Sequence, residues 1–125
     1  MKAPGPTVVA LDQVIGRSDP SQMRTVAPGI QRQLLSHGPA LMLCRLHFES
    51  GAAGDLHRHP HSQISYVESG RFEVQIDLQT LELGPGDSCY IGPELDHAAR
   101  CLQAGVLIDV FNPTRSDFLA EEATP

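Results

Sequence analysis

The sequence predicts a single domain of the all-β class, and three observations support this. Apolar and polar residues alternate strictly from Arg71 to Asp77, which is the two-residue period of a half-buried strand. Short apolar segments recur at intervals of roughly 8–12 residues between glycine- and proline-containing turns, a spacing typical of sandwiches and barrels. No stretch with a helical period exceeds about ten residues. A chain of 125 residues has room for one compact domain with a core, but not for two.

In chain order, the first element is an arm over residues 1–28, rich in proline, glycine, serine and aspartate, with one short strand expected at 7–11. The β domain is expected to extend from 29 to 119, and a C-terminal tail covers 120–125. Near the end of the domain, Asp117 is expected to cap a short helix that covers 118–122. About eight or nine strands are expected in all, the clearest of them at 41–49, 64–68, 71–77, 80–83, 88–91, 97–102 and 106–111. Turns should separate them at Ser69-Gly70, Gly84-Pro85-Gly86, Gly92-Pro93 and Ala104-Gly105.

Composition argues against several classes of protein. Fifteen acidic residues against nine basic ones give a formal net charge of −6, and no basic cluster is present, so nucleic acid is not an expected partner. The longest apolar runs, at 40–44 and 106–108, are far shorter than the roughly 20 residues of a transmembrane helix, so no membrane contact is expected. The first residues lack the apolar region of a secretory signal. Three cysteines in apolar segments, without CxxC spacing, predict buried free thiols and a cytoplasmic location.

Three of the six histidines fall within five residues, in the run His57-Arg58-His59-Pro60-His61. On an extended strand, His57 and His59 face the same side and converge on one point. A strand also supplies the rigid support that metal ligation by neutral imidazoles requires. Pro60 interrupts the strand before His61, so His61 is expected at the rim of the site. A His-x-His pair alone is equally compatible with solvated or structural histidines.

Two longer segments resemble the two motifs of the cupin superfamily. The first has the spacing Gly51-x5-His57-x-His59-x3-Gln63-x6-Gly70, and the second runs from Gly86 to His97. The resemblance implies a single-domain cupin, that is, a double-stranded β-helix or jelly-roll barrel. It also implies one bound divalent metal ion, with the ligands His57, His59, Gln63 and His97.

The sequence departs from the cupin motifs at two places. Gly92-Pro93-Glu94 replaces a Pro-x-Gly, and Gln63 stands where the family usually has glutamate. An amide oxygen can bind a metal but brings no charge, so the metal and its ligands keep a charge of about +2. Such a site should favour an anionic ligand and disfavour oxidation of the metal. Nickel, zinc, iron, manganese and cobalt all remain possible with these ligands.

A narrower resemblance is to the pectin-degradation family of small cupins called KdgF. It rests on the run His57-x-His59-Pro60-His61-x-Gln63-x2-Tyr66-Val67-x2-Gly70 and on the run from Asp109 to Leu119, which resembles a family signature Asp-x-Phe-x-Pro-x-Arg-x-Asp-Phe. Members of that family open the ring of 4,5-unsaturated uronates, released from pectin or alginate, and give linear keto-acid sugars. The likeness extends from about residue 29 to residue 119.

The residues around Asp109 support such chemistry independently. Asp109 lies in an apolar strand, where a carboxylate is costly to bury unless a partner stabilises it. Strand parity places Phe111 on the same face, as an apolar wall for a sugar ring, and Arg115 follows closely enough to bind a substrate carboxylate. Facing the lumen, Asp109 would suit general acid–base catalysis. The alternatives are a structural Asp109 satisfied by backbone amides or an arginine, a Phe111 that belongs to the core, and an Arg115 on the surface.

The sequence therefore predicts an isomerase- or lyase-type enzyme that opens unsaturated uronates. The expected partners are a small anionic sugar and a second copy of the chain in a homodimer. Two other functions remain open: a metal-dependent cupin dioxygenase, and a non-catalytic cupin that binds sugar acids or senses metal. Although the whole chain is acidic, the predicted site is locally cationic, because it combines a metal ion on neutral ligands with Arg115.

Overall fold

The computed structural model of the protein describes residues 14–124. Its strands confirm the predicted all-β class, and the strand expected at 7–11 lies outside the described residues. A short 3-10 helix at Pro20–Gln22 comes before the sheet, which begins at β1, ahead of the predicted domain start at residue 29. The elements that follow are β1 (Arg24–Ala27), β2 (Ile30–His37), β3 (Met42–Phe48), β4 (Ser62–Ile76), β5 (Gln79–Leu83), β6 (Ser88–Ile91), β7 (His97–Asn112) and α1 (Ser116–Glu122).

All paired strands are antiparallel, in the order β1-β2-β3-β7-β4-β5, with β6 also paired to β4. The long strands β4 and β7 pair along almost their whole lengths. The first part of β4 also pairs with β6, whereas its second part pairs with β5. The first part of β7 bridges to the segment before β4, and its second part pairs with β3. Both long strands thus take part in two sets of pairs and join all seven strands into one sheet, which forms a barrel around the core and the cavity.

The lumen of this barrel is lined by alternate residues, as strand parity requires. Odd-numbered residues are buried at 63–67 of β4 and at 107–111 of β7, whereas their even-numbered neighbours are more exposed. After the register shift in the middle of β4, the buried residues of that strand are the even-numbered Phe72 and Val74. The register places Asp109 opposite Cys44 on β3 and Ser65 on β4. It places Phe111 opposite Gln63 in the next row. Asp109 and Phe111 therefore share a face, as strand parity predicted, and the structure shows that this face lines the lumen.

The turns predicted at Ser69-Gly70 and Ala104-Gly105 are wrong. Residues 64–68 and 71–77 belong to the single strand β4, and 97–102 and 106–111 to the single strand β7, so residues 14–124 contain seven strands. The glycines lie where β4 and β7 cross closely and their register shifts. A Cβ on Gly70 would lie 2.5 Å from the Gln103 carbonyl oxygen, and one on Gly105 would overlap the Ser69 carbonyl. These glycines permit a close approach of two strands.

Replacing Gly105 with alanine should therefore destabilise the protein by about 3 kcal/mol or more, because backbone atoms must move to accommodate the methyl group. Urea unfolding measured with the wild-type protein checks this. Gly38→Ala is the matched control, since no atom lies within 4 Å of its added Cβ, and it should change stability by less than about 0.5 kcal/mol. Equal effects of the two substitutions would contradict the close-approach explanation.

Two apolar clusters form the core. The larger one centres on Phe48, Val67 and Phe72, with the Phe48 and Phe72 rings edge to face at 5.2 Å. The smaller one contains Met42, Cys44 and Phe111 and is covered by Phe118 and Leu119 of α1. All three cysteines are free thiols; Cys44 and Cys101 are buried, as predicted, and Cys89 is half-buried.

The short C-terminal helix is confirmed, but the predicted capping by Asp117 is wrong. Helix α1 begins at Ser116, its N-cap residue is Arg115, and Asp117 lies in its first turn. The Asp117 carboxylate instead accepts two hydrogen bonds from the Arg115 guanidinium, at 2.8 and 3.0 Å. Within residues 14–124, no helix is long and apolar enough to cross a membrane.

Candidate metal centre and adjoining cavity

The structure brings His57, His59 and His97 together. One potential ligand atom from each lies within 4.8 Å of the others. His57 and His97 are joined by reciprocal backbone hydrogen bonds of 3.0 and 2.8 Å between the segment before β4 and the start of β7. The intervening Arg58 forms a two-fold ion pair with Asp96, at 2.9 and 3.2 Å, across the same two segments. Residues far apart in the chain are thus held at one point.

Backbone carbonyls orient all three imidazoles in the same way. Nδ1 of His57 lies 2.7 Å from the Asp55 carbonyl, and Nδ1 of His97 lies 2.8 Å from the Leu95 carbonyl. Nδ1 of His59 faces the His61 carbonyl at 3.2 Å. Because a carbonyl only accepts, Nδ1 of His57 and of His97 carries the proton, and the Nε2 atoms of these two residues present lone pairs. His59 has an acceptor oxygen at each ring nitrogen, namely the His61 carbonyl and Oε1 of Gln63. Metal-binding histidines are commonly oriented by such hydrogen bonds.

The group fits a divalent transition metal. Nε2 of His97 is buried and has no hydrogen-bond partner among the described residues. Burial lowers the pKa of His59 to about 4 and also lowers the pKa of His97, so both imidazoles are neutral near pH 7. Oε1 of Gln63 lies 3.0 Å from Nε2 of His59, so a potential oxygen ligand and a potential nitrogen ligand face each other. A cation bound there would satisfy both, and three imidazoles with one amide oxygen suit zinc and its first-row neighbours.

A hydrogen-bonded chain leads from this group to Asp109. The Gln63 amide nitrogen donates to the Ser65 hydroxyl at 2.9 Å, which directs the amide oxygen toward His59. The Ser65 hydroxyl in turn donates to the Asp109 carboxylate at 2.6 Å. Asp109 is only 7% exposed, and burial raises its pKa to about 6 although the hydrogen bonds from Ser65 and Gln63 oppose the rise. Side-chain hydrogen bonds from Ser65 and Gln63, together with the positive charge of Arg115, therefore stabilise this carboxylate.

Phe111 and Arg115 lie beside the same cavity, which has a volume of about 310 Å³. The Phe111 ring meets the His59 ring edge to face, with 5.8 Å between centroids. The Arg115 guanidinium is buried, lies over the Phe111 and Phe118 rings at 5.0 and 3.9 Å, and is paired with Asp117. The surface alternative for Arg115 is excluded. Sequence-predicted residues that line the cavity are His57, Gln63, His97, Asp109, Phe111 and Arg115.

His61 stays outside the three-histidine group, as its position after Pro60 predicted. Its ring centroid lies 5.3 Å from that of His59 and 6.4 Å from that of Phe111. Its Nδ1 is buried without a hydrogen-bond partner among the described residues. His61 therefore packs beside the group, on the side of Phe111.

Sequence reasoning missed three residues of the site: Ser65, Arg32 and Phe118. Ser65 has the same strand parity as Gln63, so its inward direction could have been inferred from the position of Gln63. Arg32 alternates with Ile30 and Leu34 along β2, all three on the inner face. An arginine at an inward position between apolar residues was the available signal. Phe118 carried no comparable signal, because its contacts depend on how α1 packs.

Comparisons with known proteins identify the family of this chain. Residues 44–111 match the Cupin domain family. The pectin degradation protein KdgF of Dickeya dadantii (strain 3937) is 38% identical over 103 residues, which cover 81% of this chain and 94% of that protein. The chain belongs to the KdgF family of cupins.

Two solved structures extend this result to the fold. An RmlC-like cupin from Shewanella frigidimarina is 41% identical to this KdgF-family chain, with a TM-score of 0.76 over 81% of this chain and 93% of that one. KdgF from a Halomonas species is 39% identical, with a TM-score of 0.75 over 77% and 89% of the two chains. The cupin barrel expected from the sequence resemblance is thereby confirmed.

Proposed function

We propose that this KdgF-family cupin opens the ring of 4,5-unsaturated uronates, such as those released from pectin or alginate, and converts them to linear keto-acid sugars. The observation that carries the proposal is the placement of the buried Asp109 on the cavity wall, linked through Ser65 and Gln63 to the three-histidine group. The likeness to two KdgF proteins, one of them named as a pectin degradation protein, supports it.

The cavity is suited to a small sugar acid. Its wall combines the basic side chain of Arg115 with the apolar ring of Phe111. Nε and Nη2 of Arg115 are held by Asp117, and its Nη1 remains to donate to a substrate carboxylate. The flat Phe111 ring provides an apolar surface for one face of the sugar. Basic groups inside the cavity thus attract the substrate in spite of the net charge of −6.

Asp109 is assigned the proton transfer. Ring opening removes the proton from the anomeric hydroxyl, breaks the bond between the anomeric carbon and the ring oxygen, and leaves an aldehyde and an enolate. A proton delivered to C4 of the enolate then gives the ketone, so the reaction is an isomerisation with no net gain or loss of atoms. The Asp109 carboxylate takes the first proton and returns it to C4. A divalent ion held by His57, His59, His97 and Gln63 would supply Lewis acidity toward a substrate oxygen.

The decisive experiment incubates the purified protein with a 4,5-unsaturated uronate and follows the absorbance of the conjugated double bond. We expect the absorbance to fall, a keto acid to form by NMR, and a chelator to stop the reaction until a divalent metal is restored. Matched samples contain nickel, zinc, iron, manganese or cobalt, and a sample without protein serves as the control. Unchanged absorbance with all five metals would refute the proposal.

The same samples separate the two other candidate functions. A dioxygenase would consume molecular oxygen in step with the substrate, which an oxygen electrode detects, whereas ring opening leaves oxygen unchanged. A binding or sensing protein would bind the uronate by calorimetry without altering its absorbance. Gln63, which lacks the charge of a glutamate ligand, favours ring opening over oxygen chemistry.

A further inference from the structure

Arg32 on β2 is a buried cation that the proposed reaction leaves unused. It is 3% exposed and lines the same cavity as Asp109 and Arg115. Its Nη2 donates to Glu121 of α1 at 2.8 Å. Its Nε is buried and has no hydrogen-bond partner among the described residues. An arginine is costly to bury, and a buried donor without a partner adds to that cost.

A role for Arg32 in holding helix α1 in place does not explain all of these features of its side chain. The partner Glu121 is about half exposed, and an ion pair that reaches solvent gains little. Contact with Glu121 occupies one edge of the guanidinium and leaves the Nε donor unpaired. A ligand oxygen in the cavity would satisfy a guanidinium donor that the protein itself leaves without a partner.

Arg32 and Arg115 are arranged around one aromatic ring. Their guanidinium carbons lie 3.8 and 3.9 Å from the centroid of Phe118. The two carbons are therefore no more than about 7.7 Å apart, the total of these distances. A hexuronate has a carboxylate at one end and adjacent hydroxyls across the ring, so a single molecule has the size to contact both guanidinium groups.

We propose that Arg32 determines specificity by binding the adjacent 2- and 3-hydroxyl groups of the sugar acid whose carboxylate is bound by Arg115. The inference rests on the proposed function, because it takes a uronate as the ligand. The planar guanidinium presents several donors in a fixed fork, which matches two neighbouring hydroxyl oxygens as acceptors. Its buried position excludes water that would otherwise compete for them.

The test measures binding of galacturonate, a saturated hexuronate without the reacting double bond, by calorimetry to the metal-loaded protein. Arg32→Lys keeps the charge but removes the fork, and should raise the Kd of galacturonate about tenfold. The Kd of the 2-deoxy analogue should change less than about twofold. Glu121→Gln is the matched control: it removes the charge of the nearer of the two α1 carboxylates that pair with Arg32, the other being Glu122 at 3.6 Å, and should leave both Kd values within about twofold of wild type.

A second measurement needs only the wild-type protein and covers the case in which Arg32→Lys does not fold. Titration with galacturonate should shift the NMR signal of the Arg32 Nε–H group, and the 2-deoxy analogue should shift it much less and bind about tenfold more weakly. Equal binding of the two sugars would overturn the proposal. Equal weakening by Arg32→Lys and Glu121→Gln would also overturn it, because that result indicates a purely structural role for Arg32.

These outcomes are distinct from those that test the reaction. If galacturonate binds in an Arg32-dependent way while the unsaturated uronate is not converted, ring opening fails and the assignment of Arg32 stands. If the unsaturated uronate is converted and Arg32→Lys leaves its KM unchanged, ring opening stands and the assignment of Arg32 is wrong. In the expected case, Arg32→Lys raises KM about tenfold and keeps kcat within about twofold.

Discussion

Asp109→Asn is expected to slow uronate ring opening by about 100- to 10,000-fold, the usual contribution of a general acid–base group. The substitution preserves size and keeps an oxygen that accepts the Ser65 hydroxyl hydrogen bond. It removes only the ability to take up and return a proton. The three histidines are untouched, so metal content and melting temperature should remain close to wild type.

The measurement is single-substrate kinetics by loss of absorbance, with metal analysis and thermal unfolding on the same preparation. Asp77→Asn is a suitable control. Asp77 has a positive φ of 54°, which asparagine also tolerates, and it is absent from the lining of the cavity that contains Asp109. Its turnover should match wild type. Near-normal turnover in the Asp109→Asn protein would remove Asp109 from the mechanism.

The second large effect concerns metal binding. His97→Ala should lower metal content from about one ion per chain to less than about a tenth of that value, because the loss of a ligand exceeds the 10- to 100-fold effects typical of residues that only orient ligands. Addition of metal at about 100 times its Kd should raise the wild-type melting temperature by about 10 °C and leave the variant almost unchanged.

Elemental analysis and thermal unfolding with and without added metal check this expectation. His37→Ala, at the exposed end of β2, provides the comparison, since it removes an imidazole that lies away from the group. That variant should bind metal and respond to it as wild type does. Full metal content in His97→Ala would show that the three-histidine group is not the metal site.

The faces of the strands could be predicted from the sequence with good accuracy. In an extended chain, side-chain direction depends only on whether a position is odd or even, so Asp109 and Phe111 had to share a face. His57 and His59 also converge, although they lie before β4 in a segment that has only an isolated bridge at His57 and not on the expected strand. The motif spacing added His97 and Gln63 to the predicted metal ligands. The resemblance to a known family implies contacts between distant segments, which the local residue pattern alone does not reveal.

The two turns predicted from Gly70 and Gly105 were wrong for a physical reason. A glycine marks any position where a Cβ does not fit or where φ is positive, and tight turns are only one such case. Gly70 and Gly105 allow β4 and β7 to cross closely instead. The error divided two long strands into four short ones, but it did not change the strand faces or the fold class.

By itself, the sequence determined the all-β class, the shared face of Asp109 and Phe111 and the candidate metal ligands; the homodimer and the cytoplasmic location stay predictions. Only the tertiary structure decided which partners the charged side chains have. Arg32 meets Glu121 across 89 residues, and Asp109 meets Ser65 across 44. Such pairs depend on how distant segments pack, whereas strand parity and motif spacing are local properties of the chain. From Arg115 and a bound metal ion, the sequence predicted a locally cationic site in this acidic protein, and the structure adds Arg32 on the same cavity wall.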